Sequence, residues 1–116
     1  MGRFPVLVVP CIAPRIDGQS YVATTTILGS IFPAIWSFML AARSRGVGTT
    51  MTTLTTMYER QVSEILEIPD EAAHCAVIPV AYYTGDSFKA ARRLPLESTV
   101  TYESWHGSEV VPATRS

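Results

Sequence analysis

The chain has 116 residues, of which 47% are hydrophobic and 16% are charged, and its formal net charge is -1. This composition excludes an intrinsically disordered chain, which is poorer in apolar residues and richer in charge. A net charge this close to zero also argues against binding to nucleic acid or to an acidic membrane. Because a small domain needs polar residues to cover its large relative surface, the apolar excess indicates that part of the surface packs against something else.

The cysteines and histidines predict no metal site. Cys11, Cys75, His74 and His106 lack CxxC spacing and do not form a zinc-ligand set. Both cysteines are predicted to be small buried side chains in a reducing compartment. The first apolar run is too short for a signal peptide, so we expect a cytoplasmic protein.

The first part of the chain predicts a strand, a loop and a helix. Residues 5–11 are rich in β-branched side chains and predict a strand that is buried on both faces. The turn residues within 12–20 predict a loop. Ser30 is predicted as the N-cap of a helix over 31–45, which ends at Gly46.

The predicted helix is apolar almost all round, and residues 18–42 carry no charge. On length alone this uncharged stretch could span a bilayer. However, a helix over 31–45 would be about 22 Å long, against a hydrocarbon core of about 30 Å. The stretch also begins with polar residues. We therefore expect a helix that is buried in protein and does not cross a membrane.

The next segment predicts a short extended region and a second helix. Residues 46–56 are rich in threonine and predict a loop or a short extended piece. Thr56 and Glu59 fit a capping box for a helix over 57–67.

The second half of the chain adds a strand and a tail. Residues 75–83 predict a second buried strand, in which Pro79 suits an edge or a bulge. Two strands and two long helices predict an α+β fold with helices packed on a partial β-sheet. We expect one partial domain over 1–106 and a flexible tail over 107–116.

No set of side chains points to a nucleophile or a general base, so no catalytic side chain is predicted. Two segments favour ligand binding. Arg92 and Arg93 could clamp a phosphate, or they could be a solvated basic pair. The threonine-rich loop 49–56 offers N–H groups and hydroxyls to a neutral heteroaromatic ring, or it could simply be the turn that caps the next helix.

Five segments follow one another in an order that resembles the nitroreductase family of FMN-dependent oxidoreductases. They resemble, in turn, the PVLVVPC strand of actinobacterial-type members, the central helix with its following loop, the LGIP helix end, the IPVGY strand and a basic segment: 5–11, 29–50, 58–71, 78–82 and 92–95. Glu67 stands where the LGIP motif has glycine.

The resemblance implies a homodimer with FMN at the subunit interface and the first helix at its core. It implies that electrons pass from NAD(P)H through FMN to a nitro compound, quinone or similar small-molecule acceptor. The residues implied to bind the cofactor are Met51, Thr52, Thr53 and Leu54 beside the flavin ring, and Arg92 and Arg93 at the phosphate.

The resemblance covers residues from about 5 to 105 and corresponds to the C-terminal half of a family subunit. The Arg-Ser-x-Arg phosphate clamp and the SGGNxQPW-like segment of the first half have no counterpart in these residues. Besides a single-pass membrane protein through residues 23–42, two functions therefore stay open. One is an FMN-dependent oxidoreductase, and the other is a non-catalytic remnant or pairing subunit that keeps the dimer helix without a complete flavin site.

Overall fold

A computed structural model describes residues 5–107, which form a mixed α+β arrangement. The elements are β1 (Val6–Val8), β2 (Cys11–Ile12), α1 (Tyr21–Ser44), β3 (Val47–Thr49), a first 3-10 helix (Leu54–Tyr58), α2 (Glu59–Leu66), β4 (Ala73–His74), β5 (Ile78–Tyr82) and a second 3-10 helix (Leu96–Ser98). The chain divides into two compact units, Met1–Thr84 and Gly85–Ser116. Apart from Gly107, the predicted tail 107–116 lies outside the described residues.

Both sheets of the first unit are antiparallel. The larger one has three strands in the order β1-β5-β3. The smaller one pairs β2 with β4 and joins Cys11 to His74. The predicted strand over 5–11 is therefore divided between β1 and β2, whereas the one over 75–83 forms the single strand β5. Pro10 lies at the break between β1 and β2, where a residue without an N–H cannot continue a ladder. The predicted fold class, helices packed on a partial β-sheet, is confirmed.

The two predicted strands differ in burial. Ile78 of β5 is fully buried, since β5 lies between two neighbouring strands. Val6 and Leu7 of β1 are 51% and 46% exposed, so the prediction of a strand buried on both faces is wrong for β1. The reason is its place at the edge of the sheet, where no described layer covers it.

The missing N–H of Pro79 predicts a place at the edge of a sheet or at a bulge. The structure instead places Pro79 in β5, the central strand. In an antiparallel strand, the N–H and C=O of one residue point toward the same neighbour. The Pro79 carbonyl accepts a hydrogen bond from the Thr50 N–H at 3.4 Å, so the missing donor also faces the β3 side. The register continues without a bulge to the Thr52–Val77 bridge. Pro79 therefore costs this side of the sheet one hydrogen bond.

Helix α1 begins at Tyr21, ten residues before the predicted start. Its N-cap is Ser20, whose hydroxyl accepts a hydrogen bond from the Ala23 N–H at 3.2 Å. The hydroxyls of Thr25 and Thr26 donate to carbonyls one turn earlier at 2.8 and 2.9 Å. Because these threonines satisfy their polar groups within the helix, the polar run does not stop it.

The longer helix removes one argument against a membrane span. Its 24 residues correspond to about 36 Å, which exceeds the hydrocarbon core of about 30 Å. By length and composition α1 would be able to cross a bilayer. It also has a packed face, because Ile35 is buried in the hydrophobic core of the first unit together with Ile12, Ala73, Cys75, Ala76 and Ile78.

Only part of α1 is covered by the described chain. Ile31, Phe32 and Met39 pack partly buried against the core. Trp36 and Leu40 are 59% and 52% exposed. Helix α1 thus has one stripe that rests on the sheet and a second apolar stripe that none of the described residues covers.

The predicted capping box does not form. The 3-10 helix occupies Leu54–Tyr58, and α2 begins only at Glu59. The Thr56 hydroxyl donates to the Thr53 carbonyl at 2.7 Å. The Glu59 carboxylate binds Arg15 and so does not reach back to the backbone of Thr56.

Glu67 follows α2 in a left-handed backbone conformation, with φ 53° and ψ 38°. An L-residue with a Cβ is strained there, and glycine is the usual occupant. Glu67→Gly should raise the free energy of unfolding by about 0.5–1 kcal/mol. Urea denaturation measures this, and Glu64→Gly inside α2 is the matched control, which should lower stability by about 1 kcal/mol. Equal losses in both variants would contradict the assignment.

Candidate functional site

Residues 50–53 continue from β3 along the open edge of the three-stranded sheet, and Leu54 begins the first 3-10 helix. Thr52 exchanges two hydrogen bonds with Val77, at 3.0 and 2.9 Å, and the Thr50 N–H donates to Pro79. Because successive residues of a strand point their N–H groups to opposite sides, the N–H groups of Met51 and Thr53 face away from β5. Neither has a hydrogen-bond partner in the described part of the chain.

The side chains of this segment leave the backbone accessible. Met51, Thr53 and Leu54 are exposed, whereas Thr52 is half-buried beside its partner. The Thr55 hydroxyl is buried, with no hydrogen-bond partner among the described residues. An open edge with unpaired donors and flanking apolar side chains fits the rim of a planar heteroaromatic ring, which carries carbonyl acceptors and an N–H donor.

Arg92 and Arg93 lie in the second unit, in an irregular segment that precedes the second 3-10 helix. Both are exposed, and neither forms an ion pair with another described residue. Their guanidinium groups are therefore available to an anionic ligand such as a phosphate ester.

A hydrogen-bond and ion-pair network around Arg15 is not predicted from the sequence, because its partners Glu59 and Ala72 are more than 40 residues away along the chain. The Arg15 guanidinium forms a bidentate pair with the Glu59 carboxylate at 3.0 and 2.9 Å and also donates to the Ala72 carbonyl at 2.8 Å. The Ser63 hydroxyl donates to Glu59 at 2.8 Å. A cleft of about 650 Å³ lies beside this network. The network ties the 13–18 loop to α2.

The Arg15 guanidinium, with help from the Ser63 hydroxyl, lowers the pKa of Glu59 from 4.5 to about 2. Its ionised carboxylate therefore stabilises the fold fully above about pH 4.5, and this contribution is lost as the pH falls toward 2. Glu59→Gln should lower the free energy of unfolding by about 1–2 kcal/mol at pH 7, allowing for solvent screening.

Urea denaturation at pH 7 and at pH 3 tests this prediction. The difference between wild type and Glu59→Gln should shrink as the pH falls, because Glu59 takes up a proton in the unfolded wild-type chain below about pH 4.5, while the folded state still holds it ionised. Glu64→Gln on the exposed side of α2 is the control and should follow the wild type. A Glu59→Gln deficit of the same size at both pH values would contradict the ion-pair account.

The two cysteines are free thiols with different surroundings. Cys75 is buried, and burial raises the pKa of its thiol, which disfavours the reactive thiolate. Cys11 is exposed, so the prediction that it is buried is wrong. It lies in β2, which pairs only with the two-residue strand β4. His74 is 3% exposed, and neither ring nitrogen has a partner among the described residues. Residues 5–107 contain no group of three or more such side chains placed to hold a metal ion.

A sequence profile described as the Nitroreductase family matches residues 1–82. This is more than half of the chain, and the chain therefore belongs to the nitroreductase family. A comparison with curated proteins finds no match.

One similar solved structure is a tyrosine-to-alanine mutant of the FMN- and NADPH-dependent nitroreductase NfnB, from Sphigopyxis sp. strain HMH. The two chains superimpose with a TM-score of 0.62 at 16% sequence identity. The match covers 88% of this chain and 46% of the NfnB chain. At this identity the comparison establishes the shared fold, and this chain spans less than half the length of its structural neighbour.

Proposed function

We propose that the protein is an FMN-dependent oxidoreductase of the nitroreductase family. FMN would supply the redox chemistry, by accepting electrons from NAD(P)H and passing them to a nitro compound, quinone or similar small acceptor. The family membership and the fold shared with an FMN- and NADPH-dependent enzyme support this proposal. The observation that carries it is the open backbone edge at residues 51–54.

The chain's own part in this function is to bind and orient the cofactor. The outward N–H groups of Met51 and Thr53 would donate to acceptors on the rim of the ring. Met51 and Leu54 would cover part of its apolar surface. Thr52, bonded to Val77 through both its N–H and its C=O, would keep this segment from rotating. Because these donors are backbone groups, they fix an orientation without adding a titratable side chain.

Arg92 and Arg93 would bind the FMN phosphate. Guanidinium groups form bidentate, charge-assisted hydrogen bonds with phosphate oxygens, and neither arginine is engaged in another ion pair of the described chain. The proposed ring contacts come from Met51, Thr52 and Thr53 on the sheet edge and from Leu54 at the start of the 3-10 helix, and the proposed phosphate contacts come from Arg92 and Arg93.

A second copy of the chain is the proposed cover for the exposed stripe of α1. Trp36 and Leu40 give this stripe large apolar side chains, which are costly to leave in water. A long helix that pairs with its own copy about a two-fold axis buries the same stripe on both subunits. We propose a homodimer on this basis.

An anaerobic reduction experiment tests the function. Protein reconstituted with FMN is mixed with NADPH, and the visible absorption of oxidised flavin is followed. The proposal predicts bleaching that depends on the protein, followed by return of the colour when a quinone or nitro compound is added. Bleaching no faster than with free FMN would contradict it.

The alternative is a non-catalytic pairing subunit, and one observation favours it. The chain accounts for 46% of the structural neighbour, and we propose that the matched part is the C-terminal half of an actinobacterial-type subunit. A pairing subunit would associate through α1 but would take up no FMN. Light scattering combined with an FMN titration separates the two functions, because both predict association and only the oxidoreductase predicts saturable flavin binding.

A further inference from the structure

Strand β3 is weakly specified by its own sequence. It has three residues and includes Gly48, which has no side chain to pack. Because Pro79 has no N–H, one of the hydrogen bonds between β5 and the residues that follow β3 is missing. Short or glycine-containing strands are prone to slip in register, and a slip of one residue interchanges the two sides of a strand.

The register of β3 decides which amides of residues 51–54 are available. In the observed register the N–H groups of Thr50 and Thr52 face β5. A slip of one residue would turn the N–H groups of Met51 and Thr53 inward and leave Thr52 outward. Something in the fold has to select between these two arrangements.

The close contact between Gly48 and Tyr83 distinguishes them. A Cβ atom at position 48 would lie 3.1 Å from Cδ1 of Tyr83 and 3.3 Å from the Ala81 carbonyl oxygen. Only glycine fits this place without displacing its neighbours. A slip of one residue would bring Val47 or Thr49 against the Tyr83 ring, and both are β-branched.

The Tyr83 ring contacts the C-terminal end of α1. The guanidinium carbon of Arg43, in the last turn of α1, lies 4.5 Å from the centroid of the Tyr83 ring. This distance is within the range of a cation–π interaction. Tyr83 therefore contacts both the end of α1 and the middle of β3.

We propose that Tyr83 is a positioning residue whose ring, in contact with Gly48 and Arg43, sets the β3 register that turns the Met51 and Thr53 amides to the open edge. The proposal rests on the proposed function only for the identity of the ligand at that edge. The register itself is a property of the protein without cofactor.

Amide hydrogen exchange of the cofactor-free protein is the first test. In the wild type, the amides of Thr52 and Val77 should exchange slowly and those of Met51 and Thr53 rapidly. Tyr83→Leu should accelerate exchange at Thr52 and Val77 by about tenfold or more, while the β1–β5 ladder keeps its protection. Tyr83→Phe keeps the ring and should retain the wild-type pattern.

The FMN dissociation constant is the second readout. Tyr83→Leu should raise it by about tenfold or more, since a misplaced donor loses its ligand contact, and Tyr83→Phe should stay near wild type. If Tyr83→Leu unfolds, Arg43→Gln replaces it, with the same direction of change expected in both readouts. If the wild type binds no FMN, the proposed function fails, and the exchange pattern alone decides the register. Unchanged exchange in Tyr83→Leu, or altered exchange with unchanged FMN affinity, would overturn the proposal.

Discussion

Replacing both Arg92 and Arg93 with glutamine should weaken FMN binding by about two to four orders of magnitude. A hydrogen bond to a charged group contributes about 1.5–3 kcal/mol, and each 1.4 kcal/mol corresponds to tenfold in affinity. Glutamine keeps much of the side-chain length but removes the charge and the bidentate geometry. Fluorescence titration of FMN with the two proteins measures the difference.

Riboflavin, which has the flavin ring without the phosphate, makes this test specific. The double variant should bind riboflavin as the wild type does, since the ring contacts at residues 51–54 are unchanged. Lys89→Gln, three residues before Arg92, is the matched control and should change FMN affinity by less than about threefold, as expected for an exposed charge. Equal loss of FMN and riboflavin binding would show that the arginines support the fold and do not contact phosphate.

Placing charge on the exposed stripe of α1 should dissociate the proposed homodimer. Trp36→Glu with Leu40→Glu would put two carboxylates on each subunit into an apolar interface, where an unpaired buried charge costs several kcal/mol. We expect the dimer dissociation constant to rise by about 100-fold or more. Size-exclusion chromatography with light scattering over a range of concentrations measures this.

The control for this prediction is Gln61→Glu, which adds a negative charge at an exposed position on α2, away from the stripe of α1. It should leave the dimer intact. Circular dichroism should show that the double variant keeps its helix content, because Ile35 and the packed face of α1 are untouched. A wild-type chain that is monomeric at all concentrations would contradict the proposed role of α1.

The local sequence predicts a helix at α1 but does not locate its first residue. Both Ser20 and Ser30 are acceptable N-caps, and Pro33 favours Ser30 because proline suits a first turn. The helix nevertheless begins at Tyr21 and tolerates Pro33 in its interior. Apolar packing of Ile27 and Ile31 against the core decides between the caps, and this packing depends on residues far along the chain.

Long-range contacts also explain the lost capping box. Thr56 and Glu59 have the right spacing, but Glu59 binds Arg15, 44 residues earlier. No local pattern identifies that partner. In the same way, the apolar sequences of β1 and β5 look alike, whereas their burial depends on which strand lies in the centre of the sheet.

Only the local form of the candidate segment is predictable from its sequence. The threonine-rich residues predict a loop or a short extended piece with free N–H groups, and β3 with residues 50–53 has the extended form before the 3-10 helix begins at Leu54. The alternation that leaves Met51 and Thr53 outward requires the register with β5, which the sequence does not contain. The role of Gly48 was likewise hidden, because a helix-stop glycine and a glycine beneath an aromatic ring look the same in sequence.

An equilibrium titration of the cofactor-free protein with FMN tests the central claim most directly. The account predicts saturable, stoichiometric uptake with a change in flavin fluorescence, which Arg92→Gln with Arg93→Gln weakens strongly for FMN and leaves unchanged for riboflavin. A folded chain whose addition leaves the spectrum and fluorescence of FMN unaltered at all concentrations would contradict it.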